Sequence, residues 1–469
     1  MVLSISADRL LDVNEYLLLT TQQKPSIITA FHQHIDLPIS SGSGRKVDQH
    51  STFTAKDSNF LEEYYARSRL HLISTLAQEM KDYVNGMRDE QNHEFIGRHQ
   101  LEHISDHNWK GSLDRVIFHV DLDCFFVSVS LRSRPDLVGK AVAVTHSKGS
   151  SRAAGFSELA SVSYVARVAG LRNGMLVRDA LKLCPTLICL PYEFNEYKII
   201  SKAIYTIVSR YTLDIRAVSC DEMYIDCTKL FKLLNISDAT LFAEHLRSEI
   251  KRETGCPASI GIGSNMLMAR LATRYAKPDN VKWVKPDAAL NFITNEKVEN
   301  LPGLGYCTLN KLRTVYGNLK QCGDLQKISG VDLEKIIGKR LGEQVYKMCR
   351  GEDETDKDFV VSTGRKSVSC DINYGIRFTK MEEVVHFLNV IGQELEKKLN
   401  QAKMVTGSIT LKIMIGVQCS RLISSMSSRY SVKAEAMNRL FRVKKSSQEK
   451  TKAKECQFLF GLFLHLILY

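Results

Sequence analysis

No Cys-x-x-Cys pair occurs among the 12 cysteines of this 469-residue chain. The spacing common to zinc sites is therefore missing. With Cys124, Cys220 and Cys227 inside apolar runs, the cysteines read as reduced core residues of an intracellular protein rather than a disulfide framework. The start, Met1-Val2-Leu3-Ser4, lacks the basic segment and long apolar core of a signal peptide. The longest apolar run, Phe458 to Tyr469, includes Gly461 and His465 and falls short of the roughly 20 residues of a membrane span, so no membrane partner is expected. There is no internal repeat. What is present is ordinary for a soluble globular protein, 44% apolar and 25% charged residues, in a length suited to about three domains. A net charge of +12 and a pI near 9.0 point to an anionic partner, most simply nucleic acid. Ten Lys/Arg against three Glu between 417 and 469 supply seven of those charges, so net charge alone is a weak vote.

Residues 1–50 mix a weak apolar segment with Gln, His, Ser and Gly and read as a flexible leader. From Phe60 to Val84 apolar residues recur at three- and four-residue steps, which predicts one helix. A compact apolar strand then ends in Asp121 and Asp123, and helix and strand signals alternate to about residue 290, as in an α/β or α+β protein. Leu301-Pro-Gly-Leu-Gly305 opens a different texture of short helices broken by glycine. Such helix starts expose backbone N–H groups that hold phosphates without reading sequence, although a plain small helical domain has the same texture. After an acidic linker (351–358) come a strand from Val368, a helix over 381–401 and a strand over 408–415, and regular structure is expected to stop at Gly416.

The chemistry is expected at two acidic sites. Asp221 and Glu222 are neighbours in a strand-like run, and adjacent strand residues face opposite ways, so only a turn or bulge lets both serve one site. Alone, such a pair is most often a solvated hairpin turn. Asp121 at the end of an earlier strand changes that, because adjacent strands of one sheet would bring the three carboxylates together. Three carboxylates can hold two Mg2+ ions for phosphoryl transfer. Tyr164 and Arg167 are helix-spaced so as to face one ligand, and Arg167 and Lys277 suit a triphosphate. Most Arg and Lys are simply solvated, and Asp-x-Asp also occurs in nucleotide-sugar transferases and phosphatases.

Six motifs in order, Val120-Asp-Leu-Asp-Cys-Phe-Phe126, Ser163-Tyr-Val-Ala-Arg167, Ser219-Cys-Asp-Glu222, Ser259-Ile-Gly-Ile-Gly-Ser-Asn265, Ala276-Lys-Pro278 and Leu301-Pro-Gly-Leu-Gly305, together resemble a Y-family translesion DNA polymerase over roughly 112–416. Ser68-Arg-Leu-His-Leu-Ile-Ser74 and Lys366 to Phe378 resemble its deoxycytidyl transferase branch. The resemblance implies an α+β right-hand polymerase: an N-terminal extension (51–111), palm (112–139 and 192–290), fingers (140–191), helical thumb (291–358), an incomplete little finger (359–416) and a divergent basic tail (417–469). It implies Asp121, Asp221, Glu222 and the Leu122 carbonyl as ligands of two Mg2+ ions. Phe126 becomes the gate against a ribose 2′-OH beside Phe125, and Tyr164, Arg167 and Lys277 hold the triphosphate. Arg69 becomes the partner of incoming dCTP, Leu70 takes the place of an evicted template guanine, and Gly303 and Gly305 contact DNA. Cytosine presents adjacent acceptors, O2 and N3, to a guanidinium, whereas thymine opposes it with an N–H donor.

The implied reaction is insertion of dCMP opposite template G, abasic sites and damaged bases by a nuclear, monomeric enzyme. Its partners are primer–template DNA and dCTP, with other translesion polymerases and repair proteins beyond them. The chain departs from the family pattern in Val165, where Glu is common, in a short 145–163 segment, in the absence of a protein-interaction domain before residue 50, and in the half-supplied little finger. That last departure motivates a rival, an impaired isoform that binds DNA or repair proteins without extending primers.

Overall fold

In the computed structural model the residues described are 2–12, 54–106, 114–146, 157–353, 359, 367–414 and 439–444. The strands, in chain order, are β1 (Val2–Asp12), β2 (Ile117–Leu122), β3 (Val142–Thr145), β4 (Leu159–Val162), β5 (Ile188–Leu190) and β6 (Ile215–Ala217). They continue with β7 (Glu222–Asp226), β8 (Ala258–Gly263), β9 (Val281–Trp283), β10 (Ser367–Ile372), β11 (Met404–Met414) and β12 (Arg439–Lys444). The chain divides into two compact units, Arg69–Ser362 and the combination of Met1–Ser68 with Thr363–Tyr469.

In the unit Arg69–Ser362 a five-stranded sheet of order β6-β7-β2-β8-β9 puts β2 at the centre, antiparallel to both neighbours. Strand alternation gives β2 two different faces. Phe118, Val120 and Leu122 join the main core, where Phe118 packs on Phe231 and Phe242. Ile117, His119 and Asp121 lie toward the helix Met266–Ala276 and the residue after it. Ile117 shares a small cluster with Ala269, His119 bonds Thr273, and Asp121 pairs with Lys277. Two residues along a strand advance about 6.6 Å and four along a helix about 6 Å, so the steps 117–119–121 and 269–273–277 stay in register. Glycine makes the approach close enough. On β8, Gly261 opposes His119 and Gly263 opposes Ile117, and a Cβ on Gly261 would land on the Ala269 carbonyl oxygen and the Thr273 nitrogen.

The order β4-β3-β5 forms a second, three-stranded sheet with its own small core around Val162, Ala166 and Val177. Helices Tyr306–Tyr316, Cys322–Gln326, Gly330–Ile337 and Lys339–Met348 pack around Leu309, Leu312, Leu333 and Val345.

The other unit holds a four-stranded antiparallel sheet, β10-β1-β11-β12. Val368, Cys370 and Ile372 alternate inward on β10 and pack with Phe60, Tyr64, Phe387 and Ile391 from the helices Phe60–Arg67 and Met381–Gln401. Three expectations change here. The stretch read as a flexible leader contains β1, which fills the slot between β10 and β11. Regular structure resumes past Gly416 in β12. The helix expected over 60–84 is two helices, Phe60–Arg67 and Arg69–Asp89, because Ser68 leaves the helical region with an extended backbone (φ −82°, ψ 111°). The rest of 1–50 and of 417–469 lies outside the described residues. Among the described residues, no helix is long and apolar enough to cross a membrane.

Candidate active site

Asp121 closes β2 opposite Glu222 of β7 and Ser259 of β8. Val218 and Ser219 both donate their backbone N–H to the Glu222 carbonyl, which is the irregularity required for Asp221 and Glu222 to serve one place. The Leu122 N–H then bonds the Asp221 carbonyl at 3.0 Å, tying this turn to the end of β2. Ser219 Oγ donates to Asp221 Oδ1 at 2.5 Å. Burial pushes the Asp121 carboxyl up to about 6; Lys277 opposes this and the nearby Asp221 charge reinforces it. Burial also raises Asp221, with Ser219 opposing and Glu222 reinforcing. Burial would raise Glu222 as well, but His119, Arg270 and Lys277 outweigh it and hold that carboxyl below its ordinary value. Lys277 Nζ is ion-paired with Asp121 Oδ1, while Glu222 Oε1 takes His119 Nε2 at 2.7 Å and Arg270 Nη2 at 3.5 Å.

The second aspartate of Asp-x-Asp is spent differently. Asp123 is fully buried; its oxygens accept from Tyr164 Oη (2.8 Å), Ser259 Oγ (3.0 and 2.9 Å) and the Asp279 backbone N–H (2.7 Å). Arg167 lies over the Tyr164 ring at 4.7 Å and donates from Nε to the Val162 carbonyl. Tyr164, Lys277 and the Asp121 strand end are thus joined through Asp123 and its neighbours. Cys124 follows with φ +38°, an uncommon conformation for a non-glycine residue, and starts the helix Phe125–Arg132. Phe125 and Phe126 are buried, with the Phe126 ring packed at a tilt on Tyr197 (4.6 Å between centroids) and edge-on to Tyr192 (6.0 Å).

Arg69 opens the helix Arg69–Asp89, and its positive charge acts on Tyr192 and His146, whose rings lie 4.6 Å apart. The Tyr192 ring in turn meets Phe126 edge-on, with 6.0 Å between centroids. Leu70 is half exposed. Gly303 has φ +83°, where a side chain is strained and a Cβ would press Leu341. Gly305 precedes the helix Tyr306–Tyr316, whose start has no side-chain cap and is open around the glycine.

His119, Thr273, Arg270 and Tyr192 were absent from the sequence reading. His119 was findable, being two residues before Asp121 and hence on its strand face; the helix residues depend on a packing register that motif spacing does not contain. No group of three or more His, Cys, Asp or Glu among the described residues has a metal-holding arrangement. The donor chemistry nevertheless suits a hard cation. Asp121 and Asp221 are half-buried oxygen donors raised first by desolvation and further by the neighbouring charges of Asp221 and Glu222 respectively, a penalty on negative charge that a divalent ion relieves. The His119 and Arg270 contacts of Glu222 both fall on Oε1.

A central, mostly antiparallel sheet with acidic residues at one strand end, a small second sheet and a glycine-broken helical unit define the right-hand polymerase architecture. Its fold is similar to that of a Y-family DNA polymerase chimera of Dbh and Dpo4 (TM-score 0.54, 17% identity, covering 75% of this chain and 94% of that one). Residues 120–274 match the impB/mucB/samB family, 299–353 the DNA polymerase-iota thumb domain, and 365–448 the impB/mucB/samB family C-terminal domain. The chain is 34% identical over 288 residues to DNA polymerase IV of Shewanella amazonensis, covering 61% of this chain and 78% of that protein. It belongs to the Y family of DNA polymerases, and within that family it is Rev1-like. It is 40% identical over 408 residues to DNA repair protein Rev1 of Drosophila melanogaster (77% of this chain, 40% of that protein). It is 35% identical over 379 residues to DNA repair protein REV1 of Arabidopsis thaliana (80% and 32%). The chain thus spans two fifths or less of the length of these Rev1 relatives. Family membership removes the nucleotide-sugar transferase alternative.

Proposed function

We propose that this chain is a DNA-templated nucleotidyltransferase of translesion synthesis that inserts dCMP opposite template G, abasic sites and damaged bases. Its palm is 112–139 with 192–290, its fingers 140–191 and its thumb 291–358, and its little finger runs from 359 through β12 rather than ending at 416. Asp121, Asp221, Glu222 and the Leu122 carbonyl would hold two Mg2+ ions, which supply activation of the primer 3′-hydroxyl and neutralisation of the triphosphate. Lys277 and Arg167 carry the positive charge for the triphosphate, with Tyr164 beside them, and Phe126 closes the space a ribose 2′-OH would need. Gly303 and Gly305 let backbone amides approach a DNA phosphate. Primer–template DNA and dCTP are the substrates, other translesion polymerases and repair proteins are the expected partners, and the setting is nuclear.

What supports the nucleotide choice is that the Arg69 charge acts on Tyr192, whose ring meets that of the gate residue Phe126. Paired N–H donors there match cytosine O2 and N3 and oppose thymine N3–H. Single-nucleotide primer extension with each dNTP tests this. dCTP is expected to be preferred whatever the template base, and Arg69→Ala should lower its kcat/KM about thirtyfold, roughly 2 kcal/mol for charge-assisted hydrogen bonds. Equal use of four dNTPs, or an unchanged preference in Arg69→Ala, contradicts it.

A further inference from the structure

His119 has no part in the roles given above, yet it is 2% exposed and both ring nitrogens are engaged. Nδ1 lies 2.8 Å from Thr273 Oγ1 and Nε2 lies 2.7 Å from Glu222 Oε1. A carboxylate oxygen only accepts, so Nε2 carries the hydrogen and donates to Glu222. Thr273 Oγ1 has carbonyls of Ala269 at 3.0 Å and His119 at 3.2 Å as further acceptors, so the hydroxyl can serve Nδ1 in either sense and the ring stays fixed. Tyr224, opposite His119 on β7, covers the ring at 4.7 Å between centroids. Arg270 approaches the same oxygen, Oε1, at 3.5 Å. Both contacts fall on one oxygen of Glu222, Oε1.

We infer that His119 is a positioning residue that fixes the Glu222 carboxylate, with Thr273 fixing His119 in turn, so that Glu222 presents its second oxygen to the divalent ion of the reaction centre. This rests on the reading of Glu222 as a metal ligand given above. The helix Met266–Ala276 and the residue after it then have two duties: Thr273 orients Glu222 through His119, and Lys277 balances Asp121. Outer hydrogen-bond partners of metal ligands are worth about 10- to 100-fold in metal affinity, which sets the expected size of the effect.

The test is Mn2+ binding to the full chain, followed by the electron paramagnetic resonance of the unbound ion, without DNA or nucleotide. Glu222→Ala is expected to weaken binding. His119→Phe, which keeps a buried ring and loses the donor, should weaken it about tenfold or more, His119→Gln should recover much of the loss through its amide N–H, and Thr273→Val should give a smaller loss. Thermal unfolding of each variant separates lost affinity from lost fold, and Thr273→Val, which touches neither Glu222 nor the pocket, keeps the test open if His119→Phe does not fold. Wild-type affinity in folded His119→Phe or in Thr273→Val, with Glu222→Ala weakened, overturns the role of His119. Unchanged affinity in Glu222→Ala overturns the metal-ligand reading itself.

Discussion

Asp121 and Asp123 stand two residues apart and do opposite things for the protein. Asp123 has both oxygens satisfied by three neutral donors in full burial, so it holds Tyr164, Ser259 and the Asp279 backbone to the strand end. Asp121 is held in a place that disfavours its charge. Truncating Asp123 strands buried donors, whereas neutralising Asp121 relieves a penalty. Asp123→Ala is expected to cost about 3 kcal/mol in denaturant unfolding. Asp121→Asn is expected to be more stable than wild type by about 2 kcal/mol at pH 7.5 in chelator. The sign follows from the folded-state value of about 6 against an ordinary 3.8: the folded protein binds this proton more tightly than the unfolded chain. Wild type therefore recovers as the pH falls through about 6, and the difference between the two proteins should close toward pH 4. A difference independent of pH contradicts this account of Asp121.

At the scale of elements, the proposed reaction centre depends on the fit between β2, β8 and the helix Met266–Ala276. The two glycines of β8 let the helix backbone lie directly on the sheet, and that closeness is what brings Thr273 to His119 and Lys277 to Asp121. Gly261→Ala would drive a methyl group into helix backbone rather than into a flexible side chain. We expect a loss of about 3 kcal/mol or more in thermal or denaturant unfolding, at the upper end of overpacking costs, and any folded protein should show weakened nucleotide use. A change below about 1 kcal/mol would mean that the helix is not seated as described. Much of this layer was legible beforehand. The strands at 117–122, 142–145, 215–217, 222–226 and 258–263 have clear apolar runs with turn residues between them, and Ser259-Ile-Gly-Ile-Gly carried the glycines. The break at Ser68 was not legible, since the apolar spacing from Phe60 to Val84 runs on through it and the departure is one backbone dihedral.

For the whole molecule, local pattern and long-range pairing were legible to different degrees. The acidic strand ends and the glycine-broken helices identify themselves within short windows. β1 pairs with segments more than 350 residues away, and such pairing leaves little local trace. Leu3, Ile5 and Ala7 do alternate with Ser4, Ser6 and Asp8, a two-residue period that signals a strand but was outweighed by the polar composition of 1–50. Its consequence is a four-stranded sheet in a unit that the sequence reading completed only by half. Whether this unit and the catalytic unit together support synthesis is decided by one measurement, extension of a primer by the chain 1–469 with Mg2+ and dCTP opposite a template guanine. The expected result is addition of one nucleotide that Asp221→Ala combined with Glu222→Ala abolishes while the double variant still unfolds cooperatively. Extension no greater than that of the double variant would contradict the account and favour a DNA- or repair-protein-binding module instead.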